Sequence, residues 1–183
     1  MTDVIEREIK VKLDVDPQKF IDRLVKEGYE YLGREVQEDI YLNGEAKDFK
    51  KTDEALRIRT VGDKIELTYK GPRMGSESKS REEITVVLDS RESMVKILEK
   101  LGYRPVYKIK KIRYTFKKEN FTICVDNVEG LGNFLEVEGI DVEERELIDF
   151  FNKIKILFNL KEEVITKSYL ELMVNALDHS NSN

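Results

Sequence analysis

The chain has 183 residues, with 32 Lys or Arg against 37 Asp or Glu and a formal net charge of −5. A single Cys excludes a disulfide framework or a thiolate zinc site and fits a reducing compartment. The one His, His179 in the terminal HSNSN, argues against a Ser/His/Asp triad or a His-rich metal centre. No apolar run reaches the ~18 residues of a membrane span, and MTDVIEREIK lacks a signal-peptide core. A cytoplasmic protein with no membrane partner is therefore expected. Length predicts one domain, residues 1–178, followed by a polar tail at 179–183. The Glu- and Lys-rich, Gln-poor composition resembles that of thermophile proteins.

Period-two alternation dominates the first 140 residues. In the first strand Ile5, Ile9, Val11 and Leu13 share one parity and Glu6, Glu8, Lys10 and Lys12 the other. Asp16-Pro17 opens a helix carrying Phe20, Ile21, Leu24 and Val25, and Gly28 closes it. A second strand spans about 34–43, with Gln37, Asp39 and Tyr41 opposite Val36, Ile40 and Leu42, and a polar connection covers 44–53. ALRIRT forms a third strand, and Gly62-Asp63 turns it into a fourth, containing Ile65, Leu67 and Tyr69. GPRMGSESKS (71–80) predicts a mobile loop, either plain or a lid, and 81–88 a fifth strand. Asp89-Ser90 caps a second long helix with Met94, Ile97, Leu98 and Leu101 on its apolar face. Three more strands follow, at about 105–117, through Thr122–Asp126 and through Phe134–Glu138. Two helices end the chain, one lined by Leu147, Phe150, Phe151, Ile154 and Leu157, the other by Tyr169, Leu172, Met173, Ala176 and Leu177. The fold expected is α+β: an eight-stranded antiparallel β-barrel with helices packed on its outside.

The polar parity would suit the wet face of an ordinary sheet, but its content is unusual. Cations recur two apart (Arg57/Arg59, Lys111/Arg113), as do acids (Glu6/Glu8, Glu136/Glu138), and Lys10, Lys70, Arg81, Glu83 and Asp126 share the matching parity. Residues two apart lie about 6.5–7 Å from each other on one face. If that face lines the barrel, its cations need a polyanion between them, and Arg forks match phosphate oxygens. Its carboxylates need hard divalent ions, Mg²⁺ or Mn²⁺, which also accept phosphate oxygens. The pattern points to phosphoryl or nucleotidyl chemistry, which requires neither His nor Cys.

Glu6-x-Glu8-x-Lys10 resembles the ExExK motif of the CYTH superfamily, which takes in class IV adenylyl cyclases, thiamine triphosphatases and inorganic triphosphatases and has a triphosphate-tunnel fold. The resemblance continues in order through Arg57-x-Arg59, TYKGP with Lys70, Arg81-x-Glu83, Lys111-x-Arg113, VDNVEGLGNFLEVEG (125–139) and TKSYLELM (166–173). It implies that Lys10, Arg57, Arg59, Lys70, Arg81, Lys111 and Arg113 bind the triphosphate, with Lys10, Lys111 and Arg113 as the catalytic group. It also implies that Glu6, Glu8, Asp126, Glu136 and Glu138 hold one or two divalent ions, Mg²⁺ or Mn²⁺. The family's usual Arg-x-Glu-x-Glu is incomplete, because Thr85 stands in place of the second acid.

The remaining features carry blander readings. Cys124 has no His to activate it and reads as a small strand residue, and His179 as a tail residue. The basic run 108–118 splits between two faces, which disfavours nucleic acid as a partner. Tyr169 and Met173 have core spacing, and Lys167 and Ser168 are candidates to close one tunnel end. Three activities remain: adenylyl cyclase chemistry on ATP, triphosphate hydrolysis, and non-catalytic binding of a nucleotide or polyphosphate. A nucleoside triphosphate or another triphosphate is the expected substrate, and the apolar C-terminal helices would permit a homodimer.

Overall fold

In an antiparallel pair, directly opposed residues point to the same side, so the parity of one strand is passed to its neighbour. The computed structural model describes residues 4–14, 16–74, 79–161 and 163–180. Among them are eight strands: β1 (Val4–Lys12), β2 (Glu30–Gly44), β3 (Ala55–Val61), β4 (Lys64–Lys70), β5 (Lys79–Leu88), β6 (Tyr103–Lys118), β7 (Phe121–Val128) and β8 (Gly132–Ile140). The five helices are α1 (Pro17–Lys26), α2 (Phe49–Thr52), α3 (Arg91–Lys100), α4 (Glu144–Phe158) and α5 (Tyr169–Ser180). The strands close into a barrel in the order β1-β5-β4-β3-β2-β6-β7-β8, every neighbouring pair antiparallel. Val61 pairs with Lys64 across a two-residue turn in which Gly62 takes φ +55, as a tight hairpin requires.

Register carries the charged parity around the whole barrel. Lys10 opposes Glu136, Arg113 opposes Asp126, Asp39 opposes Arg59, and Lys70 opposes Glu83. The apolar parity faces outward and is covered by helices. Ile9, Val11, Ile123, Val125, Leu135 and Val137 pack with Phe20 and Leu24 of α1 and Leu147, Phe151 and Ile154 of α4. Leu42, Leu56 and Ile58 pack with Phe49 of α2 and with Met94, Val95 and Leu98 of α3.

α5 departs from the expected outer position. Its Tyr169, Leu170, Leu172 and Met173 pack on Tyr41, Ile109, Val128 and Phe134, which lie on the inward parity near one barrel end. The cause is a strand offset. β5 pairs with β1 only over Val4–Glu8, which leaves the next β1 residues without that neighbour. The segment before α5 takes the vacant edge: Val164 bridges Val11, and the Ile165 amide donates to the Lys10 carbonyl at 2.7 Å. This delivers the start of α5 to the barrel mouth.

Other differences are local. β2 begins at Glu30, and the polar connection after it contains α2, capped by the Asp48 side chain, which accepts from the Lys50 amide. The apolar seam of α3 runs through Met94, Val95 and Leu98, which rotates Ile97 and Leu101 away from the barrel and leaves them 52% and 67% exposed. β5 begins at Lys79, inside the expected 71–80 loop, and Gly75–Ser78 lie outside the described residues. α5 extends to Ser180, past the expected start of the tail.

Candidate active site

The inward side chains of every strand except β7 meet around one cavity of about 770 Å³. Glu6, Glu8, Lys10, Arg57, Arg59, Lys70, Arg81, Glu83, Lys111, Arg113, Glu136 and Glu138 all line it. Asp126 is not in the lining. It is fully buried and accepts from Lys111 (3.0 Å), from Arg113 (2.7 and 2.6 Å) and from the Tyr169 hydroxyl (2.9 Å).

The acids and cations are interleaved. Lys10 lies 2.8 Å from Glu136 and 3.3 Å from Glu8. Arg113 grips Glu136 as well as Asp126 and reaches Glu138 at 3.1 Å. Lys70 bridges Glu6 (3.3 Å) and Glu83. Arg81 reaches Asp53 at 3.3 Å. Arg59 holds Asp39 with two bonds of 2.7 and 2.8 Å, the planar fork that suits a carboxylate. The Tyr169 ring lies under two ammonium groups, 4.2 Å from Lys10 Nζ and 4.8 Å from Lys111 Nζ, both within cation–π range.

One carboxylate oxygen from each of Glu8, Glu136 and Glu138 lies within 4.8 Å of the others. An all-oxygen, negatively charged donor set fits a hard divalent cation such as Mg²⁺ or Mn²⁺. The two other acids expected as ligands stand apart from this trio: Glu6 beside Lys70, and Asp126 among Lys111, Arg113 and Tyr169.

Burial and its neighbours set the protonation of these acids. Burial disfavours the Glu136 carboxylate, yet Lys10 and Arg113 hold it well below the usual carboxylate range. Burial raises Glu83, which shares a hydrogen bond with Glu6, while Lys70 and that bond lower Glu6. Glu138 is pushed up to about 7 by burial, against the pull of Arg113 and aided by the charges of Glu6, Glu136 and Glu8. The sign follows. A raised folded-state pKa stabilises the metal-free protein fully below the ordinary value of 4.5, and that contribution fades as pH rises through about 7. A divalent ion needs the ionised form, so Mn²⁺ affinity should climb between about pH 5 and 7 and then level off. Titration calorimetry at pH 6 in buffers of different ionisation enthalpy should register up to about one proton released per ion. An affinity independent of pH across this range, with no proton release, would contradict the assignment.

Sequence reasoning overlooked several contributors. Asp39 shares the parity of Gln37 and Tyr41, which was visible, but its place beside Arg59 depends on the β2–β3 register. Asp53 and Arg73 come from the connections after β2 and β4. Arg73 binds Asp53 at 2.8 Å, Glu171 at 3.2 Å and the Thr166 carbonyl at 3.1 Å, tying the mouth to α5. Lys167 and Ser168 do reach the mouth, and Ser168 and Glu171 cap each other at the start of α5. Cys124 points inward opposite Glu136, is buried, and has a thiol held in its neutral form by desolvation.

A closed antiparallel barrel with a charged interior and a helix across one mouth is the triphosphate-tunnel architecture. The CYTH domain model matches residues 5–169, and the chain belongs to that family. It is 45% identical over 173 residues to a Methanocaldococcus jannaschii protein named "Putative adenylate cyclase MJ0240", covering 92% of this chain and 98% of that protein. It is 32% identical over 131 residues to an Acetivibrio thermocellus protein named inorganic triphosphatase, covering 64% of this chain and 77% of that one. Among solved structures, the PH1819 protein from Pyrococcus horikoshii OT3 superposes with a TM-score of 0.78 at 38% identity, covering 93% and 98% of the two chains. No helix among the described residues is long and apolar enough to cross a membrane.

Proposed function

We propose that this chain is a metal-dependent enzyme of the adenylyl cyclase type, converting ATP to cyclic AMP and pyrophosphate inside the barrel. One observation carries the choice of a nucleotide. The cavity does not end at the cations: it continues to a mouth lined by Tyr41, Tyr107, Leu170, Val174 and Asn175. Inorganic tripolyphosphate has no use for the apolar and aromatic side chains that stand among the polar ones at this mouth, whereas a nucleoside packs on them.

In this reading the seven cations hold the triphosphate, and the 3′-hydroxyl oxygen attacks the α-phosphorus in line. The bond from that phosphorus to the bridging oxygen breaks, pyrophosphate departs, and the hydroxyl proton leaves to solvent. Lys10, Lys111 and Arg113 neutralise the charge that gathers on the leaving group. A divalent ion held by Glu8, Glu136 and Glu138 would supply Lewis-acid stabilisation of phosphate charge. Binding would be an exchange of partners: phosphate oxygens would take the place of carboxylates at the cations, freeing Glu8, Glu136 and Glu138 to hold the ion. Full occupation of the tunnel by either ligand alone would leave buried charges unpaired.

Hydrolysis is the second reading, with water attacking the terminal phosphorus of thiamine triphosphate, tripolyphosphate or a nucleotide. Similarity to a protein named inorganic triphosphatase supports it. A purely binding module is disfavoured because three converging carboxylates add nothing to capture of a polyanion. Incubation with ATP, thiamine triphosphate and tripolyphosphate, each with Mg²⁺ or Mn²⁺, separates the readings. Cyclic AMP with pyrophosphate is the expected product; orthophosphate alone selects hydrolysis, and no turnover selects binding.

A further inference from the structure

The ligand-free tunnel treats its cations unequally. Lys10, Arg59, Lys70, Arg81, Lys111 and Arg113 each have a carboxylate partner. Arg57 has none within ion-pair distance among the described residues; its charge acts on Glu6 and Asp39 only from further off. Its one side-chain contact is a long 3.5 Å bond from Nη2 to the Thr68 hydroxyl, and its Nε is buried without a partner. Register explains why. The row across the barrel wall at this level reads Tyr41, Arg57, Thr68, Thr85, with no acid in it. The rows on either side pair Asp39 with Arg59 and Lys70 with Glu83. Thr68 and Thr85 satisfy each other, their hydroxyl oxygens 3.0 Å apart.

We propose that Arg57 is the docking point for the first phosphoryl group, available before any metal binds, and that Thr85, standing in its row in place of an acid, is what leaves it unpaired. An anion reaching any other tunnel cation must first displace a carboxylate and leave that acid buried and uncompensated. At Arg57 it displaces none and also satisfies the vacant Nε. A carboxylate at position 85 would stand two strands from Arg57 on the same face, within the combined reach of the two side chains. It would close the only unpaired guanidinium of the described binding set. Thr85 acts through Arg57 and is a positioning residue.

The inference rests on the tunnel being the triphosphate site, and the experiment separates the two. Tripolyphosphate binding is measured by calorimetry with EDTA and with Mn²⁺ for the wild type, Thr85→Glu, Thr85→Gln, Arg57→Met and the Arg57→Met/Thr85→Glu double variant. In EDTA, wild type should bind, Thr85→Glu should lose at least about ten-fold in affinity, and Thr85→Gln, of equal size without charge, should stay within about three-fold. In the Arg57→Met background the Thr85→Glu penalty should shrink to a small fraction of its wild-type value, the coupling expected of groups that interact. Equal penalties in both backgrounds, or wild-type affinity in Thr85→Glu, would overturn the inference while leaving the tunnel assignment standing. Thermal melts of each variant identify one that has failed to fold, and Thr85→Gln then carries the test of size against charge. A wild type that binds no tripolyphosphate under either condition would overturn the tunnel assignment itself.

Discussion

Glu136→Gln should lower metal-dependent turnover by about 100-fold or more while the barrel still folds. Glu136 is buried, lies 2.8 Å from Lys10 and against Arg113, and contributes an oxygen to the only three-carboxylate group among the described residues. Gln keeps the shape and one acceptor oxygen but removes the charge that attracts a divalent ion. Fold is spared because Lys10 keeps Glu8, and Arg113 keeps Asp126 and Glu138. The measurement is kcat across a Mn²⁺ titration, with a thermal melt of the same preparation. Unchanged turnover would remove Glu136 from the site. Lost turnover together with a collapsed melt would instead give it a structural role.

Arg113→Leu should be the most destabilising single change in the tunnel. Its guanidinium compensates Asp126, Glu136 and Glu138 together, and Asp126 and Glu136 are buried. Removing one partner of a buried charge group costs ~3–5 kcal/mol, because the remaining charges stay desolvated and lose part of their compensation. For a chain of this size that corresponds to a Tm lowered by about 10 °C. The variant has a second signature. With the guanidinium gone, Lys10 still faces Glu136 but Glu138 loses its ion-pair partner, so Mn²⁺ should raise the variant's Tm more than the wild type's. Melts in EDTA and in Mn²⁺ read both effects. An Arg113→Leu melt within about 2 °C of wild type would show that these acids are not held by Arg113 in solution.

How much of this was legible in the sequence depends on the range of the interaction concerned. Strand parity is local, and it placed Lys10, Arg57, Lys111, Glu136 and their companions on one face before any fold was known. Ordered motifs then identified the barrel. Register is not local. That Asp39 meets Arg59 follows from which β2 residue opposes which β3 residue, and nothing in either strand alone specifies it. The same holds for Asp126: the family resemblance implied a metal ligand, and the closed barrel surrounds it with donors from Lys111, Arg113 and Tyr169, of β6 and α5. α5 was misplaced because its amphipathic spacing says only that it needs an apolar surface. The offset between β1 and β5, which steers it to the mouth, is a property of the closed barrel. α2 left a readable signal, Asp48 as cap before buried Phe49, too short to stand out from a polar connection.

In the proposed mechanism, carboxylates hold a divalent ion against a triphosphate inside the barrel. Crystals grown with Mn²⁺ and a non-reacting triphosphate analogue test it most directly, through anomalous scattering from the metal. A Mn²⁺ peak bounded by Glu8, Glu136 and Glu138 is expected, with phosphate density running along Lys10, Arg57 and Arg113. Metal and phosphate density located outside the barrel, with the tunnel ion pairs intact, would contradict it.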